Sequence, residues 1–434
     1  MKQSLEQLRE EFRYEKTNSC VQCGYCLPVC PTYITMGKET HSPRGRINLV
    51  KMVGEGKITD LSVLEEPLDL CLGCRACETA CPTGVEYGSI LEAARAALVR
   101  RKKFSAPVRL LRKAMFQKVF PNRKIMKFTG NAFWLYEKSG LQKAGRTSGA
   151  MKRLPNHLGD FEAIMPQAVS PAERKKTPNR VKAKGEKKYT VAFFTGCIMD
   201  AMFQRINRLS VQLLAEAGCE VIVVPKQTCC GALHSHSGEM EETKRLAKQN
   251  ITAFEQAGVD FIVNNAGGCG AMLYEYGHLL EDDKEWADRA AAFSAKSRDI
   301  SQVLVSCGGL SNLHTYPGEL VTYQRSCHMT NVQKVTSEPL DLLNSVSGIR
   351  FIEMEQADMC CGSAGIYNII NYDASMDILD RKMKDTKATG ASVIITTNPG
   401  CLLQMKLGIE REKLSESVRA MHLIEYLAEA AGIS

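Results

Sequence analysis

Apolar and polar positions follow three successive rhythms along this chain, and each rhythm predicts a different kind of element. Over residues 1–18, Leu5, Leu8 and Phe12 fall three and four apart, the spacing of one helical face. At Ser42 to Arg46 the sequence S-P-R-G-R precedes I-N-L-V-K-M-V, so Ser42 supplies a cap and Pro43 the first position of another helix. Residues 88–101 (G-S-I-L-E-A-A-R-A-A-L-V-R-R) are helical by propensity. From 102 to 164 the helical stripe turns basic, with Val108, Leu111, Met115 and Val119 on one face and Lys and Arg on the other. Packing of this stripe on the chain's own core is the expectation, with docking on a membrane or a partner as the alternative. Over 166–188 apolar residues thin out while Pro and Lys dominate, which predicts a linker.

Beyond residue 188 the rhythm becomes one of short, continuous apolar runs, the mark of buried parallel strands. These runs come in pairs. V-A-F-F-T-G before Cys197 matches V-T-Y-Q-R-S before Cys327, E-V-I-V-V-P (220–225) matches R-F-I-E-M-E (350–355), and V-D-F-I-V-N-N (259–265) matches A-S-V-I-I-T-T (391–397). Four cysteines keep register with them: Cys197, Cys229, Cys230 and Cys269 recur as Cys327, Cys360, Cys361 and Cys401, at offsets of 130, 131, 131 and 132 residues. Gly218 and Gly348 close the first intervening helices, and Gly258 and Gly390 the second. Each copy therefore reads β-α-β-α-β, with every repeated cysteine at or just past the carboxyl end of a strand, where open α/β folds bind ligands. The bland alternatives are small buried hydrophobes or a vicinal disulfide. Cys219 and Cys307 have no repeat partner and read as structural. His328, next to Cys327, reads as a donor to a cluster sulfur or a proton shuttle, against a purely structural role.

The chemistry is concentrated upstream. Cys20 to Pro31 reads C-V-Q-C-G-Y-C-L-P-V-C-P, and Cys71 to Pro82 repeats the pattern as C-L-G-C-R-A-C-E-T-A-C-P. In C-x2-C-x2-C-x3-C-P, three thiolates wrap one cubic iron–sulfur cluster and the fourth ligates the cluster of the other motif. One [4Fe-4S] cluster is thus assigned to Cys20, Cys23, Cys26 and Cys81, and another to Cys71, Cys74, Cys77 and Cys30. Structural zinc needs only two CxxC knuckles, and disulfide frameworks belong to small secreted domains, so two copies of the twelve-residue pattern favour iron–sulfur. Arg44 and Arg46 fall close to cluster sulfurs, where a cation raises the potential, or else form surface salt bridges. No dinucleotide fingerprint, nucleophile elbow or P-loop accompanies them, which assigns substrate chemistry to another protein and no catalytic residue to this one.

Composition and charge refine this picture. Of 434 residues, 18 are cysteine, an excess that fits a redox protein in a reducing cytoplasm. The charged opening MKQSLEQLREEFRYEK lacks the apolar core of a signal peptide, and no apolar run reaches bilayer length. Between Arg100 and Thr190, 24 Lys and Arg face 5 Asp and Glu, so this segment carries all of the net +8. Such asymmetry marks a contact with anionic headgroups or an acidic partner, or a linker kept open by self-repulsion. Nucleic acid is not expected, because no binding motif accompanies the basic residues. The reading divides the chain into an α-helical ferredoxin domain (1–101), a basic helical segment and linker (102–188), and two cysteine-rich repeats (189–318 and 319–434).

The doubled C…C-C-G…C pattern resembles the cysteine-rich CCG domain of heterodisulfide reductase subunits, and its fusion behind a two-cluster ferredoxin resembles the iron–sulfur subunit family of glycolate oxidase (glycolate dehydrogenase). The resemblance implies a multidomain fold: an α-helical 2x[4Fe-4S] ferredoxin followed by a duplicated α/β CCG domain with parallel strands. It implies electron transfer in a complex whose separate FAD subunits oxidise glycolate to glyoxylate, with membrane quinone as an eventual acceptor; the charged opening, for its part, predicts a cytoplasmic chain, either free or on the inner face of the membrane. Related subunits serve lactate and glycerol-3-phosphate dehydrogenases, and a heterodisulfide-reductase-like catalyst is the rival from another class. One departure stands out. Ala266 and Asn398 occupy the positions of a fifth cysteine in each repeat, leaving four, enough for an ordinary cluster but short of the five of a noncubane one.

Overall fold

The computed structural model describes residues 4–174 and 178–433. The first three residues of the predicted opening helix, and residues 175–177 of the predicted linker, lie outside them. The expected single helix over 1–18 is two. Ser4 and Gln7 form a capping box for Leu5–Glu11, Arg13 then turns left-handed (φ 52°), and Tyr14–Thr17 follows in a new direction. The break drives Phe12 fully inward, where it packs with Ile47, Val50, Leu64, Leu68, Ile90 and Leu91. The two longest helices of this all-helical front are Pro43–Gly54, whose cap Ser42 Oγ accepts from Gly45 N–H at 3.0 Å, and Tyr87–Arg101, with the short helices Pro31–Met36 and Glu65–Asp69 between the cysteine loops and Ala76–Thr79 within the second.

The basic segment corrects one expectation. Its helix Ala106–Ala114 runs into a π turn over Met115–Val119, which breaks the 3.6-residue register. Phe116, outside the predicted stripe, is the residue that becomes buried, while Val108 stays 43% and Leu111 62% exposed. The stripe is therefore split: Val108 and Leu111 stay outside, while Val119 packs against the core of the first repeat as expected. The helices Arg123–Lys138 and Leu141–Thr147 follow.

The rest is two sheets. Strands β1 (Arg180–Val181), β2 (Tyr189–Phe193), β3 (Cys219–Val223), β4 (Phe261–Asn264) and β5 (Ser297–Asp299) form the first, in the order β1-β3-β2-β4-β5. Strands β6 (His314–Tyr323), β7 (Ser347–Phe351), β8 (Val393–Thr396) and β9 (Arg419–His422) form the second, in the order β7-β6-β8-β9. All pairings are parallel except β1 with β3. The predicted linker thus contributes an antiparallel edge strand that covers β3. Nothing corresponding covers β7, which begins earlier than 350–355 and is only half-buried. The fourth parallel strands, β5 and β9, are too short and polar for the apolar-run pattern to show them.

The two sheets share one core. Val191, Phe193 and Val221 of the first pack in the same cluster as Val321, Val393 and Ile394 of the second. The last helix of the chain, Leu423–Ala430, lies against Gln204–Glu216 of the first repeat. His422 ties the copies together: its Nε2–H donates to Asn265 O (2.9 Å) and its Nδ1 accepts from Ile424 N–H (3.2 Å), so only the neutral ring fits. Burial holds its pKa down at about 4. The ring's folded pKa lies below its unfolded value, so its contribution is complete above about pH 6.5 and is lost as pH falls towards 4. Buried Asp299, pushed up to about 6 by desolvation, acts in the opposite sense. The useful comparison is therefore with His422→Asn: between pH 7 and 5.5 the wild type should lose about 1 kcal/mol more than the variant. Anaerobic urea denaturation at the two pH values checks this, and parallel losses would contradict it.

Candidate iron–sulfur centres

Both ferredoxin loops follow one backbone path. The residues flanking the second cysteine are left-handed in each, namely Gln22 (φ 58°) and Gly24 (φ 89°) in the first loop, Gly73 (φ 64°) and Arg75 (φ 62°) in the second. Turns of this kind aim backbone amides into a concave, anion-binding hollow. Gly73 N–H points at Cys71 Sγ (3.4 Å) and Val85 N–H at Cys81 Sγ (3.5 Å).

Cys20, Cys23, Cys26 and Cys81 line one hollow, together with Arg44 and Ile47. Cys30, Cys71, Cys74 and Cys77 line a second, with Thr32, Arg46 and Leu72. Each cavity takes three thiols from one motif and one from the other, although Cys77 also reaches the first. Among the described residues, no three His, Cys, Asp or Glu side chains close on a single point as the ligands of one metal ion do. The thiols are arrayed around two hollows instead, a donor set suited to a thiolate-bound cluster. The first cavity is the outer one, since Cys23 is exposed, whereas Cys30, Cys71 and Cys77 are buried.

Charge is concentrated at the inner cavity. Arg46 is 1% exposed; its Nε donates to Pro67 O (2.6 Å) and its Nη2 to Thr32 Oγ1 (3.1 Å). Burial opposes its charge, but Cys71, Tyr87 and Cys30 hold it protonated. Burial likewise works against the Cys71 thiolate, yet the Arg46 and Arg95 guanidiniums and the Tyr87 hydroxyl (3.3 Å) bring that thiol below its ordinary value. Cys74 and Cys77 are pushed well up by burial. Arg44 lines the outer cavity, donates to Gln22 O (3.3 Å) and pairs with Glu39 (2.7 Å), the salt bridge that was one of the two alternatives for it.

In the repeats, every paired cysteine follows a strand end. Cys197 Sγ lies 3.4 Å from Cys229 Sγ, with Cys230 and Cys269 as near neighbours. Cys327 Sγ lies 3.9 Å from Cys360 Sγ, with Cys361 and Cys401 as near neighbours. Each copy thus gathers its four repeated thiols in one neighbourhood. The glycine after each pair is required: Gly231 and Gly362 are left-handed (φ 94° and 93°), and a Cβ on Gly362 would stand 2.8 Å from Ser375 O. Asn398, at one fifth-cysteine position, donates from Nδ2 to Cys401 Sγ (3.6 Å) and accepts at Oδ1 from Gly268 N–H (3.0 Å), beside Cys269. Ala266, at the other, is buried and offers no donor. His328 Nδ1 is 3.6 Å from Cys327 Sγ, and its ring lies 5.2 Å from that of His236 in the first repeat. Cys219 and Cys307 face one another at 3.5 Å, away from both groups.

The two halves of the molecule meet at a seam that the sequence does not show. Leu72 of the inner loop packs with Cys327, Cys360 and Tyr367 of the second repeat, with Cys74 against them. Asn331 fixes the approach, donating to Cys74 O (3.0 Å) and accepting from Thr79 Oγ1 (2.9 Å). Arg75 pairs with Glu275 at 2.7 Å, and Arg95 donates to His236 O at 3.4 Å. Asn331, Arg95, Tyr87 and Tyr367 carry no motif, and only contact across the fold reveals them. Lys382, fully buried with its pKa lowered by desolvation, donates to Gln356 O (2.5 Å) and has Cys361 and Cys360 as charged neighbours.

Comparison with known proteins agrees with this organisation. The model of the 4Fe-4S dicluster domain matches residues 16–85, that of the cysteine-rich domain matches 191–274 and 321–406, and that of the glycolate oxidase iron-sulfur subunit linker region matches 107–165. The chain is 51% identical to the probable glycolate oxidase iron-sulfur subunit of Bacillus subtilis (strain 168), across 100% of this chain and 98% of that one. It is 30% identical to the glycolate oxidase iron-sulfur subunit of Escherichia coli (strain K12), across 92% and 93%. Lactate utilization protein A of an Exiguobacterium species is 35% identical over 55% of this chain and 97% of its own length. With a two-[4Fe-4S] ferredoxin domain, a matching linker, two cysteine-rich domains and full-length identity of this order, the chain belongs to the family of glycolate oxidase iron–sulfur subunits.

Proposed function

We propose that this chain is the electron-transfer subunit of a flavin-dependent glycolate dehydrogenase, receiving electrons from FAD-bearing partner subunits and passing them towards a quinone. One observation carries the reading: thiol sites succeed one another without a gap, from exposed Cys23 through the buried inner cavity to Cys327 and Cys360. The outer ligands are Cys20, Cys23, Cys26 and Cys81, and the inner ligands Cys30, Cys71, Cys74 and Cys77. Cys327, Cys360, Cys361 and Cys401 form the next site, and Cys197, Cys229, Cys230 and Cys269 the last, reached through Asn398 and Gly268. When bound, [4Fe-4S] clusters supply one-electron carriers. The chain's own residues keep the inner carrier from water while leaving the outer one at the surface, and Arg46 and Arg95 balance the thiolate charge. Partner flavoproteins perform the substrate chemistry.

The same reading divides the chain at residues 101, 188 and 318. It places the complex in the cytoplasm, against the inner face of the membrane. Among the described residues no helix is long and apolar enough to cross a membrane. Attachment instead falls to the basic segment, where Leu110, Leu111, Phe128, Leu135 and Leu141 are each at least 60% exposed among Lys and Arg, a combination suited to anionic headgroups.

The test is anaerobic co-purification followed by glycolate addition. The flavin of the partner and the visible absorption of the clusters should both bleach, and about eight or more iron atoms should be bound per chain. Flavin that bleaches while the clusters stay oxidised would sink the relay. Lactate bleaching the complex in place of glycolate would move the substrate assignment to the lactate-utilising relatives.

A further inference from the structure

Tyr367 stands at the seam, within the small apolar cluster of Leu72, Cys327, Cys360 and Ile378. It is 5% exposed, and its hydroxyl is buried with no hydrogen-bond partner among the described residues. A buried hydroxyl left unpaired costs about 1–3 kcal/mol, so such a group calls for an acceptor that the chain's own atoms do not provide. Tyr367 N–H donates to Ala364 O (3.1 Å), and Asn371 N–H donates to Tyr367 O (2.7 Å), fixing its backbone at the start of the short helix Tyr367–Ile370.

Tyr367 shares a neighbouring cavity with Cys71, Leu72 and Arg95 of the ferredoxin front and packs with Cys327 and Cys360 of its own repeat, so the phenol stands between the inner ferredoxin loop and the second repeat. Tyr87 supplies the comparison. Its hydroxyl donates directly to Cys71 Sγ at 3.3 Å, whereas Tyr367 reaches no protein sulfur. The acceptor left for Tyr367 is the sulfur of a bound cluster.

We infer that the Tyr367 hydroxyl donates a hydrogen bond to a sulfur of the cluster held by Cys30, Cys71, Cys74 and Cys77, and thereby sets that cluster's potential. The inference rests on the ligand assignment proposed above. Its physical basis is that a donor stabilises sulfur most when the cluster carries the extra electron. Tyr367 is thus a positioning residue: the second repeat tunes the centre from which it receives electrons.

The test is potentiometry of the full chain with its clusters, kept anaerobic and followed by electron paramagnetic resonance. Tyr367→Phe keeps the ring and removes only the hydroxyl, so iron and sulfide content should be unchanged. At a fixed potential near the midpoint, the ratio of reduced to oxidised inner cluster should fall about tenfold, equivalent to about 60 mV for a one-electron couple. The outer cluster should not move, and Tyr87→Phe should shift the inner one in the same direction. An unchanged inner potential, or a shift confined to the second repeat, overturns the inference alone. A wild-type chain with no inner-cluster signal overturns both it and the ligand assignment.

Discussion

Cys30→Ser is expected to cost the chain the inner cluster and leave the outer one intact, although Cys30 belongs to the same motif as Cys20, Cys23 and Cys26. Three steps lead there. Cys30 begins the helix Pro31–Met36, which carries its side chain away from the outer loop. It lines the inner cavity beside Cys71, Cys74 and Cys77, and it is buried where Cys23 is exposed. A cluster deprived of one thiolate loses its anchorage, so iron content should drop by about four atoms per chain. Cys74→Ser should give the same spectrum as Cys30→Ser, and Cys81→Ser the same as Cys23→Ser. Flavin reduction in the partner should survive all four changes. If Cys30→Ser and Cys23→Ser bleached the same signal, the interleaved assignment would be wrong.

Arg46→Met should be nearly as damaging without touching a thiol. The guanidinium is 1% exposed and stands beside two of the inner ligands, Cys71 and Cys30. Breaking a buried ionic contact by removing one partner costs about 3–5 kcal/mol, because the remaining charge stays buried. The substitution also strands Pro67 O and Thr32 Oγ1, both of which now accept from Arg46. The expected result is a lower urea midpoint together with loss of the inner cluster. Arg46→Lys should rescue little, since an ammonium does not reproduce the fork that reaches both acceptors. Full iron content and an unchanged midpoint in Arg46→Met would show that the thiolates need no buried cation.

Much of this was legible in the sequence because the informative patterns are local. The ferredoxin cysteines are three or four residues apart, so the chain displays their spacing without folding. The duplication was equally visible, since four cysteines and three apolar runs keep a common offset. What escaped depends on distant contacts. The π turn at Met115–Val119 moved the buried position from the predicted stripe to Phe116. Strand β7 slid upstream because, as an uncovered edge, it is not pinned by burial on both sides. The seam was invisible for the same reason: Asn331 is more than 250 residues from the Cys74 carbonyl it holds. Nothing in either repeat's sequence says which copy sets its cysteines against the inner ferredoxin loop.

The shared core also bears on how the chain is made. The helix Leu423–Ala430 closes against Gln204–Glu216, and His422 bonds Asn265. The first repeat therefore waits for residues 423–430 to be synthesised before its own interior is sealed. The ferredoxin front, whose core is drawn from residues 12–98, has no such wait. Metal delivery should then run in the order of synthesis: the ferredoxin cysteines come within reach of an assembly factor early in translation, and those of the first repeat only once residues 423–430 have emerged.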